Sequence, residues 1–330
     1  MRAMNWATQV TAAGLMLAGG AAAQAAPRVV ADIPPVQSLA AMAMAGVGEV
    51  ELIVPPGASP HGFSMRPSQA RAVEQADLVI SVGPTLAPWL DEAADALARP
   101  DAVRLDLMET AGTLVLEARD EAVFEHDHDH GDHDEDHEEE HEEGHGDHAG
   151  DHHGHDHGGV DPHGWLNPDN AVIWLDAIAE ALARIDPENA ATYAANAAAG
   201  RARIEAAAAE AEALLADVHD RPYVVFHDAY RHFEVRFDMP ATAAISLGDA
   251  ASPGARRVAE VQEAIAESGA LCVFSEPQMP AGLIESVAGD AVRRGVLDPL
   301  GAELTPGPDL YPALIVNMAQ SLFECLADRA

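Results

Sequence analysis

The chain has 330 residues and a formal net charge of −37, from 55 acidic and 18 basic residues. Binding to phosphate requires a positively charged surface, so this balance excludes nucleic acid and argues against an anionic membrane surface as partners. Beyond the N-terminal segment described next, roughly 305 residues remain, which is enough for two compact domains of ordinary size.

Residues 1–25 have the pattern of a secretory signal. Arg2 lies near the start, an apolar run covers residues 12–17, and Ala23, Gln24 and Ala25 form a cleavage site of the A-x-A kind. The alternative is a short buried helix, and the run is too short to span a bilayer. We therefore expect export to the periplasm, with the cleavage position left open.

Strands and helices alternate through the first half of the mature chain. Short β-rich runs such as VELIV are followed by proline or glycine and then by Ala-rich segments. This alternation predicts βαβ units and a parallel sheet. The predicted strands cover residues 28–33, 50–54, 77–82 and 103–107, and the predicted helices cover residues 38–45, 67–75 and 89–97.

A segment rich in histidine and acid, residues 126–157, follows this sheet. It holds 12 of the 17 histidines together with 14 Asp or Glu, and it has no Lys, Arg or large apolar residue. Such a composition cannot bury enough apolar surface to fold by itself, so we interpret the segment as an insertion without a packed core. Imidazole and carboxylate together suit zinc. The segment indicates a metal but not what the protein does with it.

The second half begins with a helix predicted to be capped by Asp169 or Asn170 and to run to about residue 185. Pro187 opens a second, unusually long helix over residues 187–218. The β/α rhythm then resumes, with strands at residues 223–226, 271–274 and 295–297 and helices at residues 258–267, 281–290 and 312–326.

The predicted fold class is α/β, with two parallel-sheet domains joined by one long rigid helix and a metal site in the cleft between them. The predicted boundaries are 26–186 for the first domain, 187–218 for the linking helix and 219–330 for the second domain. Two cysteines, Cys272 and Cys325, suit an exported protein with one disulfide. The alternative is a pair of zinc thiolates, although neither cysteine belongs to a CxxC pair.

Three isolated histidines lie where such sheets bind ligands, beyond the carboxyl ends of strands. His61 follows the strand at 50–54, His163 lies in a turn before a helix, and His227 follows the strand at 223–226. Three histidines with a carboxylate or water in the fourth position form a typical zinc site. Asp298, at the end of the strand at 295–297, is the candidate carboxylate.

Five motifs of the mature chain resemble the ZnuA family, the periplasmic zinc-binding components of high-affinity zinc uptake ABC transporters. They are PGASPHGFSMRPSQ at 56–69, DPHGWLNP at 161–168, FHDAYRHFE at 226–234, FSEPQ at 274–278 and LDPLG at 297–301. The resemblance implies two domains joined by one rigid helix, zinc in the cleft, and an acidic His-rich loop. It places the family's zinc ligands on His61, His163 and His227, and the family disulfide on Cys272 and Cys325.

Two departures affect the metal prediction. Some members carry a glutamate directly before the first histidine, whereas this chain has Pro60. The fourth ligand is then Asp298, as in related families with an aspartate in this region, or a water. Manganese and iron relatives typically have a glutamate at the position of His227, and softer nitrogen ligands favour zinc over manganese.

The sequence therefore predicts a monomeric, non-enzymatic periplasmic protein that binds Zn(II) and delivers it to the membrane permease of an ABC transporter. A manganese or iron protein of the same family is one alternative, and a periplasmic zinc buffer or metallochaperone without a transporter is another. A zinc hydrolase is a third, because His137–His141 and His141–His145 match H-E-x-x-H. Their acidic, glycine-interrupted surroundings argue against the buried amphipathic helix that this motif requires.

Overall fold

The structure, a computed structural model, describes residues 25–121, 123–124, 159–246, 248, 254–278 and 292–327. Three predicted features lie wholly or almost wholly outside the described residues: the signal at 1–25, the His-rich segment at 126–157 and the helix at 281–290.

The first half forms a four-stranded parallel sheet with strand order β2-β1-β3-β4. The inner strands β1 and β3 are rich in Val, Leu and Ile and almost wholly buried, as expected for a sheet covered on both faces. The alternation of strands and helices predicted from the sequence is confirmed. The elements are β1 Val29–Ala31, α1 Pro34–Ala43, β2 Val50–Leu52, α2 Pro67–Gln75, β3 Leu78–Ser81, α3 Pro88–Leu97 and β4 Val103–Asp106.

The second half repeats this plan with strand order β6-β5-β7-β8, again with every neighbouring pair parallel. Strand β6 and helix α6 are absent from the sequence prediction. The elements are α4 Pro168–Ile185, α5 Ala190–Leu215, β5 Tyr223–His227, α6 Arg231–Phe237, β6 Ala243–Ser246, α7 Ala255–Ser268, β7 Cys272–Ser275, β8 Arg293–Val296 and α8 Leu310–Leu326.

Prolines begin several of these helices. Helix α1 starts at Pro34, four residues before the predicted start, because proline is well suited to the first helical position. Helix α4 starts at Pro168, and its cap is Asn167 rather than Asp169 or Asn170. The Asn167 side chain accepts a hydrogen bond from the Asp169 amide at 2.8 Å.

The predicted long helix is present and begins at Pro187 as predicted, but it ends at Leu215 instead of about residue 218. It opens with one 3₁₀ turn at Pro187–Asn189 and continues as α5. Its 26 α-helical residues span about 39 Å. Helix α5 packs against α1, α4 and α8. Gly200 is needed for this packing, because a Cβ there would lie 2.7 Å from Leu175 and 3.2 Å from Met42.

One apolar core continues from the first sheet into the second. It includes Ile33 and Leu39 near β1, Tyr193 of α5, and Tyr311 and Leu322 of α8. A smaller cluster, which includes Val224 and Ile245, covers the other face of the second sheet. The predicted class of two α/β domains is therefore observed, but the two domains share core residues. None of the helices in the described ranges has the length and apolarity needed to cross a bilayer.

The predicted disulfide joins β7 to α8 through Cys272 and Cys325, which are 53 residues apart. Closing a loop of this size restricts the unfolded chain and stabilises the fold by about 4 kcal/mol in the chain-entropy model. We expect dithiothreitol to lower the urea midpoint accordingly. A Cys272→Ala, Cys325→Ala double variant is the control, and its midpoint should not respond to the reductant. Equal midpoints for oxidised and reduced wild-type protein would contradict this prediction.

Asp32 is a buried carboxyl at the end of β1. Complete burial raises its pKa to about 7, even though the amides of Val82 and Ile33, each 2.7 Å from a carboxyl oxygen, act in the opposite direction. Since the pKa of an unfolded Asp is near 3.8, the folded protein retains a proton that the unfolded chain loses. The contribution of Asp32 to the unfolding free energy is therefore complete at low pH and decreases between about pH 4 and pH 7.

We expect an Asp32→Asn variant to lack this contribution. The difference in unfolding free energy between wild type and variant, measured in urea, should shift in favour of the variant as the pH rises from about 4 to 7. Asp95→Asn on exposed α3 is the matched control. Parallel pH profiles for the wild type and Asp32→Asn would contradict the assignment.

Candidate metal centre

Three histidines converge between the two sheets. His61 lies in the loop after β2, His163 precedes α4, and His227 is the last residue of β5. Their nearest ring nitrogens lie within 4.8 Å of one another, and their ring centroids are 5.0–5.8 Å apart. Two nitrogens bound to one tetrahedral zinc ion lie about 3.4 Å apart, as follows from Zn–N bonds of about 2.1 Å. A contraction of up to about 1.4 Å would therefore bring all three onto one ion.

The histidines enclose a small cavity with walls from both halves of the chain. Ser59 and Pro60 come from the first half, and Ala229, Glu276 and Leu300 come from the second. The cavity has a volume of about 20 Å³, which accommodates one water-sized particle. This space suits a single ion and is too small for an organic substrate.

His163 is oriented by Asp161. The His163 Nδ1 lies 2.6 Å from Asp161 Oδ1, and the backbone amide of His163 donates to the same oxygen at 3.0 Å. Burial acts to raise the pKa of Asp161, but the charge and hydrogen bond of His163 outweigh it and the net shift is downward. The ionised carboxylate keeps the proton on Nδ1. Nε2, which is buried and has no hydrogen-bond partner within the described ranges, is then left to bind a metal.

The turn that carries His163 is fixed by close packing. Gly164 has no room for a side chain, because a Cβ would lie 2.5 Å from Met108 and 3.1 Å from Trp174. Asn170 donates to the Gly164 carbonyl at 3.2 Å and also bonds both the amide and the carbonyl of Leu114. Buried Trp165 donates to the Pro299 carbonyl at 2.7 Å, which ties this turn to the second half.

The loop that carries His61 is held by α3. Trp89 donates its indole N–H to the Pro60 carbonyl at 2.8 Å and packs against Phe63 with 5.2 Å between ring centroids. The His61 amide donates to the Ser59 hydroxyl at 3.2 Å. His61 is only partly buried, whereas His163 and His227 are 5% and 4% exposed. An ion would therefore reach the cavity most easily on the His61 side.

Asp298, the fourth predicted ligand, is not brought into this cavity. It lines a separate cavity with Val296, Gly301 and Leu304. Its two carboxylate oxygens accept hydrogen bonds from the amides of Leu300 at 3.2 Å and Ala302 at 2.6 Å. These bonds hold the Asp298 side chain outside the cavity of the three histidines.

Glu276 is the carboxylate that lines the cavity. It follows β7 directly, and its Oε1 lies 3.5 Å from His227 Nδ1. Glu276 is not among the metal ligands predicted from the sequence. The signal that could have found it is the topology, because β5 and β7 are neighbours in the sheet and their carboxyl ends meet.

The other two described histidines lie outside the cavity. His219 is exposed and its Nδ1 lies 3.0 Å from the Ala216 carbonyl. His232 of α6 is fully buried, and this burial lowers its pKa.

The segment that leads into the His-rich stretch is attached to both halves. Glu117 forms an antiparallel bridge with Val160, and Val123 forms one with Ala243 on the edge strand β6. Between them, Arg119 pairs with Asp228 at 2.7 Å and with Glu234, and its guanidinium lies 3.8 Å from the centre of the Phe124 ring. We call residues 116–124 the strap. The ion pairs of the strap join the N-terminal half of the chain to Glu234 and to Asp228, the residue after His227.

Comparison with known proteins shows to which family the chain belongs. The family model described as zinc-uptake complex component A, periplasmic (ZnuA), matches residues 29–325. The chain belongs to the ZnuA family. This confirms the family predicted from the sequence, and it agrees with the prediction that the protein is not an enzyme, because ZnuA-family solute-binding proteins are transport components.

Curated ZnuA relatives match along almost their whole length. The high-affinity zinc uptake system protein ZnuA of Brucella suis biovar 1 (strain 1330) is 44% identical over 307 residues, 91% of each chain. The protein of the same name from Paracoccus denitrificans (strain Pd 1222) is 45% identical over 323 residues, 96% of this chain and 97% of its own. The match thus includes both sheets and the long helix.

Solved structures show the same fold at lower identity. A zinc-bound deletion mutant of ZnuA has a TM-score of 0.70 and 22% identity, covering 92% of this chain and 100% of its own. The solute-binding protein FpvC from Pseudomonas aeruginosa, solved with Mn²⁺, has a TM-score of 0.73 and 18% identity, covering 91% and 98%. At these identities the likeness shows the fold alone.

Proposed function

We propose that this protein captures Zn(II) in the periplasm with His61, His163 and His227 and delivers it to the membrane permease of an ABC transporter. The observation that carries the proposal is the convergence of three imidazoles on an ion-sized cavity in a chain of the zinc-uptake family. Asp298 as the fourth ligand stays a prediction.

The ligand chemistry favours zinc over manganese. Three imidazole nitrogens suit a borderline ion, whereas manganese prefers carboxylate and carbonyl oxygen. Asp161 supports this choice, because a carboxylate that accepts the Nδ1 proton of His163 strengthens that imidazole as a ligand. Binding requires neutral imidazoles, so zinc affinity should fall on acidification.

The predicted signal, domains and linking helix are part of the same proposal. Residues 1–25 are removed on export, residues 26–186 and 219–330 form the two domains, and residues 187–218 form the link. The contacts of α5 with α1, α4 and α8 support a link that allows only small domain movements. Zinc release then requires the permease to act on the site, and the many weak sites of the His-rich segment at 126–157 raise the local zinc concentration. We expect the protein to work as a monomer.

Metal analysis tests the capture step. Purified protein, with and without residues 126–157, is loaded with zinc and dialysed against a chelator of intermediate strength. One zinc should be retained in both forms, and the extra zinc of the longer form should be lost. Failure of the shorter form to retain any zinc would overturn the cavity as the high-affinity site.

A periplasmic zinc buffer without a transporter is the remaining alternative, and growth distinguishes it. A strain that lacks this protein should fail to grow in zinc-depleted medium and recover when zinc is added. Growth without it at normal rates under zinc depletion would favour the buffer. Purified protein should show no hydrolysis of peptide or ester substrates.

A further inference from the structure

The second sheet places two polar residues at its topological switch point. In the order β6-β5-β7-β8, the chain runs outward in opposite directions from β5 and β7, and ligands of such sheets bind in the crevice between the carboxyl ends of these two strands. His227 is the last residue of β5 and Glu276 is the first residue after β7. The topology therefore brings one imidazole and one carboxylate to the same crevice.

Glu276 is buried, and one of its two carboxylate oxygens accepts no hydrogen bond from the described residues. Its side chain is 5% exposed, and Oε1 has no hydrogen-bond partner within the described ranges. A buried carboxylate in this state is unfavourable unless a cation or donor compensates it. Its neighbours in the described chain are His227, at 3.5 Å, and Tyr230, whose pKa is raised well above its usual value by burial and by the Glu276 carboxylate. Tyr230 also acts as a hydrogen-bond donor to this carboxylate, but neither residue supplies a fixed positive charge, and Oε1 stays without a partner in the described ranges.

The distances fit a ligand position. Two atoms bound to the same tetrahedral zinc lie about 3.4 Å apart, as follows from bond lengths of about 2.1 Å. The separation of 3.5 Å between Glu276 Oε1 and His227 Nδ1 is close to this value when His227 binds the ion through Nδ1, and it is longer than the hydrogen-bonded contact of 2.6 Å between Asp161 and His163. Asp298 differs in this respect, because both of its oxygens already accept backbone hydrogen bonds outside the cavity.

We propose that Glu276 is the fourth zinc ligand, completing the site of His61, His163 and His227 through Oε1. This inference rests on the proposed zinc capture and assigns the position that the sequence gives to Asp298 or water. The carboxylate lowers the net charge of the loaded cavity from +2 to +1. It also restores a glutamate ligand to a chain that has Pro60 before its first histidine.

Zinc affinity in solution is the first test, with the full-length protein and a competing chelator strong enough to strip the His-rich segment. Glu276→Gln, which keeps the shape and removes the charge, should raise the dissociation constant at least 10-fold. Glu276→Asp, which keeps the charge and shortens the reach, should give an intermediate value. Glu303→Gln on the exposed loop beyond Asp298 is the matched control and should equal wild type. Thermal unfolding without zinc verifies that each variant is folded.

A zinc-bound crystal structure at one equivalent of zinc is the second test. Glu276 Oε1 should lie about 2.0–2.2 Å from the ion. An ion on the three histidines with water or Asp298 in the fourth position would overturn the inference and leave the proposed function intact. An affinity that responds to Asp298→Asn but not to Glu276→Gln would do the same. No ion at the three histidines would overturn the proposed function itself.

Discussion

Replacing His163 with alanine should raise the dissociation constant of the tightest zinc site by more than about 100-fold, beyond the range expected for residues that only support a ligand. His163 is firmly oriented, since Asp161 fixes its ring and the packing around Gly164 fixes its backbone. The loss of this imidazole leaves two histidines, which cannot satisfy a tetrahedral ion by themselves.

Chelator competition measures this effect best in protein that lacks residues 126–157, because the twelve histidines of that segment would otherwise bind zinc. His219→Ala removes an exposed imidazole outside the cavity and should leave the affinity at its wild-type value. If His163→Ala retained one zinc per chain with unchanged affinity, the cavity would not be the high-affinity site.

Replacing Arg119 with methionine should lower the free energy of unfolding by about 3–5 kcal/mol, because it leaves buried carboxylates without their cation. The side chains of Asp228 and Glu234 are only 6% and 3% exposed. Burial raises the pKa of Glu234 to about 7 even beside Arg119, so the experiment belongs at about pH 8, where this carboxylate is ionised in the wild type. Loss of Arg119 raises the pKa of Glu234 further, so the loss of stability should be smaller at lower pH, where Glu234 is protonated in both proteins. Methionine retains apolar contact with Phe124, so the variant isolates the charge.

Arg104→Met is the matched control, because Arg104 pairs with Asp91 and Asp95 at the protein surface. Exposed pairs of this kind contribute at most about 1 kcal/mol. Adding Glu234→Gln to Arg119→Met should recover part of the loss, because it removes one of the uncompensated charges. Equal unfolding free energies for Arg119→Met and Arg104→Met would show that the strap does not hold the two halves together.

The sequence predicts the fold well where apolar runs are strong. The buried strands β1, β3, β5 and β7 are runs of Val, Ile and Phe, and seven of the eight observed strands overlap a predicted one. Strand β6 is missed because Ala243–Ser246 holds two alanines and a serine, which carry little β preference. Helix α6 is missed because its seven residues are fewer than two turns, too few to show a period.

The sequence predicts which loop carries each histidine of the site, but it does not predict the contacts between loops. His61, His163 and His227 each follow or precede a recognisable element, so their convergence follows from the parallel topology. The choice between Asp298 and Glu276 depends on strand order and on which carboxylate already accepts backbone hydrogen bonds, and neither can be read from one sequence. The ion pairs of Arg119 cannot be predicted from the sequence either, because its partners lie 109 and 115 residues away.

Helix α8 follows both sheets in the described part of the chain, yet it packs against α1 and α5 as well as β8. Tyr311 near its start donates its hydroxyl to the Trp165 carbonyl and its amide to the Ser38 hydroxyl. The core around α1 is therefore incomplete until α8 has been synthesised. A chain that is terminated before α8 should lose the packing of both domains rather than only that of the second.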